Sequence, residues 1–424
     1  MPATATRADR SPRAAEPSPR GGRMGALWRV LEGPRALDVA ALLIGVCTAV
    51  LTVLGLVMVL SSSSVEAIGS TDGSYGLFRR QALWAVGGLA ALLVLRRLPL
   101  RVLKSLAWPA FGLAFVLLSL VAFTSLGKEV GGNTNWLRIG GFTMQPSEAA
   151  KLAMALWAAA VLERKGRLIR HVHHALVPVL PFGLVLVVLV LRGRDLGTAI
   201  ILTGILATIL FIAGTNRKVF IAFAALAATV AIAMVLLAKN RLVRVQAWLF
   251  GCEGLETSGD PCFQPDHGIY ALASGGWWGV GLGQSRQKWS YIPEAENDFI
   301  FTILGEELGL VGSLAVLAAF LGLAIGMYTL AARTTSPFIR LATWGVMAWL
   351  VGQAFVNIAM VTGLLPVIGV PLPFISYGGS ALTLALAGVG VVLAFARHER
   401  EALRREGAPD APTPDPSVRP QETR

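Results

Sequence analysis

The sequence is poor in charged residues. Only 15% of its 424 residues are charged, whereas 54% are hydrophobic. The apolar residues form runs that are too long and too uniform for the helices of a soluble protein. This composition excludes a soluble globular domain and predicts an all-α polytopic membrane protein.

Acidic residues are scarcer than basic ones, 25 against 37, which gives a formal net charge of +12. Such an excess of positive charge can indicate nucleic-acid binding. Here, however, the basic residues fall in short clusters between apolar runs and not along one soluble face. Nucleic acid is therefore excluded as a partner.

Cysteine is also rare, with three residues in the chain. Cys252 and Cys262 share one long loop, predicted to lie outside the membrane, where oxidising conditions allow a disulfide. Two free thiols are the alternative. Cys47 lies inside an apolar run.

The apolar runs divide the chain into a membrane domain, residues 37–397, and two tails. Residues 1–36 and 398–424 are rich in proline and charge, so we predict that both tails are disordered. Ten runs are candidate membrane helices: 38–60, 81–95, 105–123, 147–162, 175–191, 196–214, 218–238, 299–331, 341–363 and 380–396.

The basic residues of the short loops set the orientation, because such residues collect on the cytoplasmic side of a membrane. The rule is satisfied when both termini are cytoplasmic. The predicted outer loops are then 61–80, 124–146, 192–195, 239–298 and 364–379, of which the largest precedes the eighth span.

Asp298 occupies a suggestive position in the stretch from Gly281 to Gly312, GLGQSRQKWSYIPEAENDFIFTILGEELGLVG. The first half is polar and aromatic, and the chain becomes apolar from Phe299 onward. A carboxylate therefore stands where a water-facing loop enters the membrane, a place suited to chemistry on a lipid-linked polar substrate. The alternative is that Asp298, or its neighbour Asn297, caps the eighth helix.

Two glutamates follow within the same predicted helix. Glu306 lies eight positions after Asp298, about 80° around the helix axis, whereas Glu307 lies nearly opposite. Glu306 is thus the better candidate to face the same cavity. Burial through a hydrogen bond to a neighbouring helix is the alternative.

A second charged group accompanies the fourth span. Pro146 suits the first turn of a helix, and Glu148 and Lys151 then share one face of that helix. They form either an internal ion pair, which makes charge tolerable near lipid, or part of a cavity wall, and both can hold together. Farther along, Asp195 in RGRDLGTA is predicted to cap the sixth helix.

The loop from about 361 to 380 is apolar yet broken by several prolines and glycines. Irregular backbone at membrane depth must be buried in protein or line a cavity. We therefore predict a re-entrant or wall-forming segment.

Three motifs together, QPSEAAK (Gln145 to Lys151), DFIFTILGEELGLVG (Asp298 to Gly312) and GLLPVIGVPLPFISYGGS (Gly363 to Ser380), closely resemble the SEDS family of bacterial shape, elongation, division and sporulation proteins. The resemblance runs from the first span to the last and leaves out only the tails. The segment Gly268 to Trp289 is more similar to the division member than to the elongation member.

The resemblance implies a peptidoglycan glycosyltransferase that polymerises lipid II at the outer face of the bacterial plasma membrane, at the division septum. It implies that Asp298 is the catalytic residue and that Glu148 and Lys151 are important for activity. The implied partners are a class B penicillin-binding transpeptidase and other divisome membrane proteins.

The chain departs from the family pattern at two places. Asn135 stands where many members have arginine, and Arg138 is a candidate to supply that charge. Arg194 stands where many members have the proline of a Pro-Asp-x-Gly-Thr sequence, which makes the local turn uncertain.

The chemistry of this reaction needs a base and positive charge. The 4-hydroxyl of an acceptor GlcNAc attacks the anomeric carbon of a donor MurNAc, and undecaprenyl pyrophosphate leaves without the carboxyl acid that glycosidases supply. Asp298 suits the base. Lys151 is the favoured ligand of the pyrophosphate, and the remaining candidates for substrate binding are Arg79, Arg80, Arg138, Glu148, Arg286, Lys288, Glu306 and Ser376.

Two points stay open at the level of sequence. A divalent cation, Mg²⁺ or Mn²⁺, is compatible with a pyrophosphate substrate, but no residue pattern requires it. A lipid II flippase is the alternative function. A transporter should place ionisable residues near mid-membrane between repeats, whereas here they cluster at the outer edge, which favours the enzyme.

Overall fold

The computed structural model describes residues 35–66, 75–130, 132–140, 142–166, 168, 177–251, 262–289, 292 and 295–406. The predicted tails fall outside this part of the chain, apart from residues 35–36 and 398–406. Within it, the helices are α1 Ala36–Glu66, α2 Gly76–Leu95, α3 Leu100–Phe123, α4 Pro146–Lys165, α5 Val179–Arg192, α6 Leu196–Ile212, α7 Arg217–Leu236, α8 Lys239–Phe250, α9 Phe263–Ser274, α10 Ile300–Arg333, α11 Pro337–Val361 and α12 Gly379–Glu406.

The prediction of a helical polytopic membrane protein is confirmed. Each of the ten predicted spans falls on a helix, namely α1 to α7 and α10 to α12. Among the described residues, seven of these are long and apolar enough to cross a membrane, and α5 and α6 are shorter apolar helices. The helix α12 continues to Glu406, beyond the boundary predicted at residue 397.

The helix α4 is the most enclosed of the bundle. Nearly every side chain from Pro146 to Leu162 is buried, because α3, α5, α6, α11 and α12 surround it. A helix in this position does not face lipid. It can therefore carry Glu148 and Lys151, provided that their charges are paired.

Small residues allow the main helix pairs to approach closely. On α10, a Cβ at Gly322 would lie 2.6 Å from Cys47 Sγ of α1, and one at Gly326 would lie 2.8 Å from Ile44. On α12, a Cβ at Gly390 would lie 2.8 Å from the Leu92 backbone of α2. Helix α1 thus packs closely against α10, and α2 packs closely against α12.

The helix α10 is interrupted at Gly309, whose φ of 66° and ψ of −165° are not helical. The segment after α9 fills the break: Leu310 N–H donates to Gly276 O at 2.9 Å, and Val280 N–H donates to Glu306 O at 2.9 Å. A Cβ at Gly279 would lie 2.1 Å from Glu307 O. Only glycine allows these two backbones to meet.

A small sheet that the sequence analysis did not predict lies in the predicted outer loop 124–146. It has three antiparallel strands, β1 Gly127–Val130, β2 Asn133–Ile139 and β3 Phe142–Met144, in the order β1-β2-β3. Thr134 N–H donates to Gly193 O at 2.9 Å, so the sheet packs on the turn between α5 and α6. The sheet thereby fixes the loop that leads into α4.

The orientation can be tested by cysteine labelling in intact cells. A cysteine at Lys165, at the predicted cytoplasmic end of α4, should resist an impermeant thiol reagent added outside. A cysteine at Lys128, exposed on β1, should be labelled under the same conditions. Labelling of the cysteine at position 165 from outside contradicts the orientation.

Candidate functional site

Asp298 lies two residues before the first residue of α10, at the end of the loop that leads into this helix. Phe299 occupies the N-cap position of α10, and its side chain makes no capping hydrogen bond. Neither Asp298 nor Asn297 therefore occupies the N-cap position that the alternative interpretation gave them. The side chain of Asp298 is partly exposed, whereas Phe299 and Ile300 are fully buried.

The backbone before Asp298 is held by the loop between α11 and α12. Ser376 Oγ donates to Asn297 O at 2.6 Å, and Tyr377 N–H donates to Glu296 O at 2.8 Å. Gln81 of α2 holds the other side of this loop, since its Nε2 donates to Ser376 O at 3.3 Å. Ser376, a substrate-binding candidate from the sequence, thus contacts the backbone next to Asp298.

Gly369 places main chain directly against the Asp298 carboxylate. Its φ is +68°, and a Cβ at this position would lie 3.2 Å from Asp298 Oδ2. The loop 361–380 therefore forms a wall beside Asp298, as its proline and glycine pattern indicated.

Gly369→Ala should lower the activity of the protein about 10-fold or more while leaving it folded. Alanine at a positive φ is strained by roughly 1–3 kcal/mol, and its methyl group would displace the carboxylate. Gly352→Ala on α11 is the matched control, because a Cβ there meets nothing within 4 Å. Equal activity of the two variants contradicts the prediction that Gly369 is needed beside the Asp298 carboxylate.

Lys151 and Glu148 form a buried ion pair. Lys151 Nζ lies 2.8 Å from Glu148 Oε1, and the two side chains are 1% and 3% exposed. The ammonium group also donates to Gln353 Oε1 at 2.7 Å and lies over the Trp349 ring, 5.6 Å from its centroid. The ion-pair interpretation holds, and Glu148, Gln353 and Trp349 enclose the ammonium group.

Glu148 also lines a cavity, so both of its predicted roles are present. The cavity has a volume of about 20 Å³ and lies between α4, α11, α12 and the loop before α12, with Gln353, Ser376 and Tyr377 in its wall. A space of this size with polar groups in part of its wall accommodates one water molecule. It extends from the ion pair to the loop that holds Asn297.

The arginines among the substrate-binding candidates are all exposed. Arg79 and Arg80 lie in the first turns of α2, Arg138 lies on β2, and Arg286 lies in the loop between α9 and α10. In the predicted orientation these four lie at the outer face. Guanidinium groups bind phosphate oxygens through paired hydrogen bonds, so this surface has the chemistry to hold a pyrophosphate.

Lys288 belongs to a separate buried network. Its Nζ lies 3.1 Å from Glu307 Oε1 and donates to Ser61 O and Gly283 O. Ser61 Oγ donates to both oxygens of Glu307, at 2.7 and 2.6 Å. The charge of Lys288 is thus neutralised at the α1–α10 contact.

Glu306 joins this network through the loop and not through a neighbouring helix. Its carboxylate accepts from Ser285 Oγ at 2.5 Å and from Arg286 N–H at 2.9 Å. Ser285 N–H also donates to Glu307 Oε1 at 3.3 Å. Both glutamates therefore bind the same loop, although an ideal helix would separate them widely.

Asp195 caps α6, as predicted. Its side chain accepts from Thr198 N–H at 2.9 Å and from Thr198 Oγ1 at 2.8 Å. It also accepts from Asn135 Nδ2 at 2.9 Å and from Gln145 Nε2 at 3.3 Å. Asp195 therefore links the sheet and the start of α4 to α6.

The two departures from the family pattern meet at this point. Asn135 binds Asp195, and the preceding Arg194 has a φ of 61°, which the ring of proline does not allow. Nearby on α8, burial lowers the pKa of Arg241, while the charge of Asp195 acts in the opposite direction. A turn with this backbone conformation therefore requires a residue other than proline at position 194.

The remaining candidates from the sequence are the cysteines and possible metal ligands. Cys262 is disulfide-bonded, Cys47 is free and buried, and Cys252 lies outside the described residues. Within the part of the chain that the structure describes, no group of three His, Cys, Asp or Glu side chains is placed to hold a metal ion.

Sequence reasoning missed two functional candidates on α11, Gln353 and Asn357. Both are buried amides in an otherwise apolar span, 2% and 0% exposed. Two amides four positions apart share a helix face, and polar side chains inside a membrane helix are costly. That spacing was a signal available in the sequence.

Comparison with known proteins identifies similar chains. Residues 41–401 match the family described as Cell cycle protein, which includes FtsW, RodA and SpoVE. A relative from Mycobacterium tuberculosis, named Probable peptidoglycan glycosyltransferase FtsW, is 38% identical over 88% of this chain and 72% of its own. Stage V sporulation protein E of Bacillus subtilis is 35% identical over 85% of this chain and 97% of its own.

Solved structures with the same fold agree with these matches. A chain of a peptidoglycan synthase complex, from work on the coordination of polymerization and crosslinking, has a TM-score of 0.67 and 29% identity, and the match covers 84% of this chain and 96% of that one. The rod shape determining protein RodA of Thermus thermophilus has a TM-score of 0.61 and 28% identity, over 84% and 95% of the two chains.

Proposed function

The chain belongs to the family of cell cycle proteins that includes FtsW, RodA and SpoVE, and from this premise we propose that it polymerises lipid II during septal wall synthesis. It is a multi-pass membrane protein and a peptidoglycan glycosyltransferase of the FtsW type. The observation that carries the proposal is the partly exposed Asp298, whose preceding backbone is held by the loop 361–380. The same loop binds Gln353, which accepts a hydrogen bond from the buried Lys151.

In the proposed step, Asp298 accepts the proton of the acceptor 4-hydroxyl as its oxygen attacks the donor anomeric carbon. The new C1–O4 bond forms while the bond from C1 to the pyrophosphate oxygen breaks, with inversion at C1. A positioned base of this kind contributes about 10²–10⁴-fold to a rate. The partly exposed carboxylate beside Gly369 has the access that this step requires.

The departing pyrophosphate needs positive charge. Lys151 was favoured from the sequence, but its ammonium group is buried and already binds Glu148 and Gln353. We assign the phosphates to the exposed arginines instead, and we assign Lys151 to the support of the loop. These arginines are Arg79, Arg80, Arg138 and Arg286.

The partners of the chain belong to the same proposal. A related chain is part of a complex that couples polymerization and crosslinking. We propose a class B penicillin-binding transpeptidase as the partner of this chain, together with other divisome membrane proteins. The proposed site of action is the outer face of the bacterial plasma membrane at the septum.

Purified chain in complex with its transpeptidase should convert purified lipid II into glycan strands, measured by gel separation of the products. The reaction is run with and without the partner, and with and without a chelator, so that partner and divalent-cation dependence are measured together. Lipid II translocation across vesicles without any polymer refutes the proposal and favours the flippase.

A further inference from the structure

We propose that Asn357 and Gln353 of α11 are positioning residues. They fix the positions of Asp298 and Lys151 relative to each other by binding two consecutive carbonyl groups of one loop. The inference rests on the proposed function of Asp298. Neither amide contacts substrate in this scheme. Both act through the residues that they hold.

Asn357 fixes the position of Asp298. Its Nδ2 donates to Asp298 O at 2.8 Å and to Val370 O at 2.6 Å. Both partners are carbonyl oxygens, so only the amide nitrogen can face them. One side chain thus joins the backbone of the catalytic residue to the loop beside it.

Gln353 makes the corresponding connection to Lys151, one helical turn earlier. Its Oε1 accepts from Lys151 Nζ at 2.7 Å, and its Nε2 donates to Pro371 O at 2.8 Å. Val370 and Pro371 are adjacent, so the two amides bind successive carbonyl groups. The Glu148–Lys151 pair and Asp298 are therefore tied to the same dipeptide.

Asn357 also carries a cost that packing alone does not explain. Its Oδ1 is buried and has no hydrogen-bond partner within the described part of the chain. A buried polar atom left in this state lowers the stability of the fold. An apolar side chain of similar size would fill the space without that cost, so the two donated hydrogen bonds are what the amide contributes.

The pair determines the geometry of the reaction because Asp298 must lie within hydrogen-bond distance of the acceptor hydroxyl. A displacement of about 1 Å can lower a rate by about 10²-fold. Loss of either amide releases one carbonyl group of the loop and allows Asp298 to move relative to Gly369. The rate should then fall with little change in substrate affinity.

Asn357→Asp is the test variant, since it keeps the shape of the side chain and removes the amide donors. We expect kcat for polymerisation of purified lipid II by the complex to fall about 10–100-fold, with KM within about threefold of wild type. Gln353→Glu should behave similarly, because it keeps an acceptor for Lys151 and loses the donor to Pro371. The matched control is Thr343→Val, a buried α11 position whose Oγ1 has no partner among the described residues.

Hydrogen exchange of backbone amides in residues 369–377 supplies a readout besides activity. It should be faster in Asn357→Asp than in wild type and unchanged in Thr343→Val. Unchanged exchange, or a loss of activity that follows only the amount of folded protein, overturns the positioning role. A wild-type complex that makes no polymer refutes the proposed function, whereas the exchange measurement still decides whether Asn357 holds the loop.

Discussion

Asp298→Asn should reach the membrane at the wild-type level and make no detectable glycan polymer from lipid II. Asparagine has nearly the same size and keeps the backbone carbonyl that Asn357 binds, so the fold should persist. It cannot accept the proton of the acceptor hydroxyl, and loss of a positioned base lowers a rate by about 10²–10⁴-fold. The measurement is the rate of polymerisation per folded complex.

Two further variants make this result specific. Glu129→Gln removes an exposed carboxylate from β1, in the predicted outer loop 124–146, and should retain full activity. Asp298→Glu keeps a carboxylate but lengthens the side chain, and Gly369 leaves little room beside it, so we expect partial activity. Wild-type polymerisation by Asp298→Asn removes Asp298 from the mechanism.

The membrane helices could be predicted from sequence because hydrocarbon forces backbone polar groups to pair within each helix. Long apolar runs therefore have one structural solution. The same rule does not govern the predicted outer loops. The helix α8 is short and carries Lys239, Arg241 and Arg244, and the strands β1 to β3 have three to seven residues, so hydropathy gave no signal for either.

The sequence indicated which residues are candidates for the site, but not the contacts that join them. Asp298, Glu148 and Lys151 stand out as charges at the edge of apolar runs. Asn357 and Gln353 connect these residues to the carbonyl groups of Val370 and Pro371. That connection depends on how α11 packs against the loop, and no local pattern encodes the packing. The break at Gly309 was equally hidden, since it is one of 46 glycines.

The position of Lys288 shows the same limit. Sequence places it near Asp298 among other cations, which favours a substrate-binding role. In the folded chain Glu307 and Ser61 surround its ammonium group. The backbone pairing between the loop and the interrupted α10 brings these residues together, and it depends on contacts between residues 276–281 and 306–311. These contacts indicate that Lys288 supports the pairing between the loop and α10.

Lys151→Ala should abolish polymerisation and also lower the amount of folded protein. Removing the ammonium group leaves Glu148 buried without its partner, and breaking a buried pair costs roughly 3–5 kcal/mol. Gln353 loses the cation that it binds and with it the support of Pro371. Activity and thermal unfolding of the purified complex measure the two effects separately.

The double variant Lys151→Met with Glu148→Gln separates charge pairing from positioning. Replacing a buried ion pair by neutral side chains of similar size is often harmless to stability, so folded protein should return. Activity should stay well below wild type, because methionine cannot donate to Gln353. Full recovery of activity would reduce Lys151 and Glu148 to a mutually neutralising pair, and the contact from Lys151 through Gln353 to the loop would then play no part in the reaction.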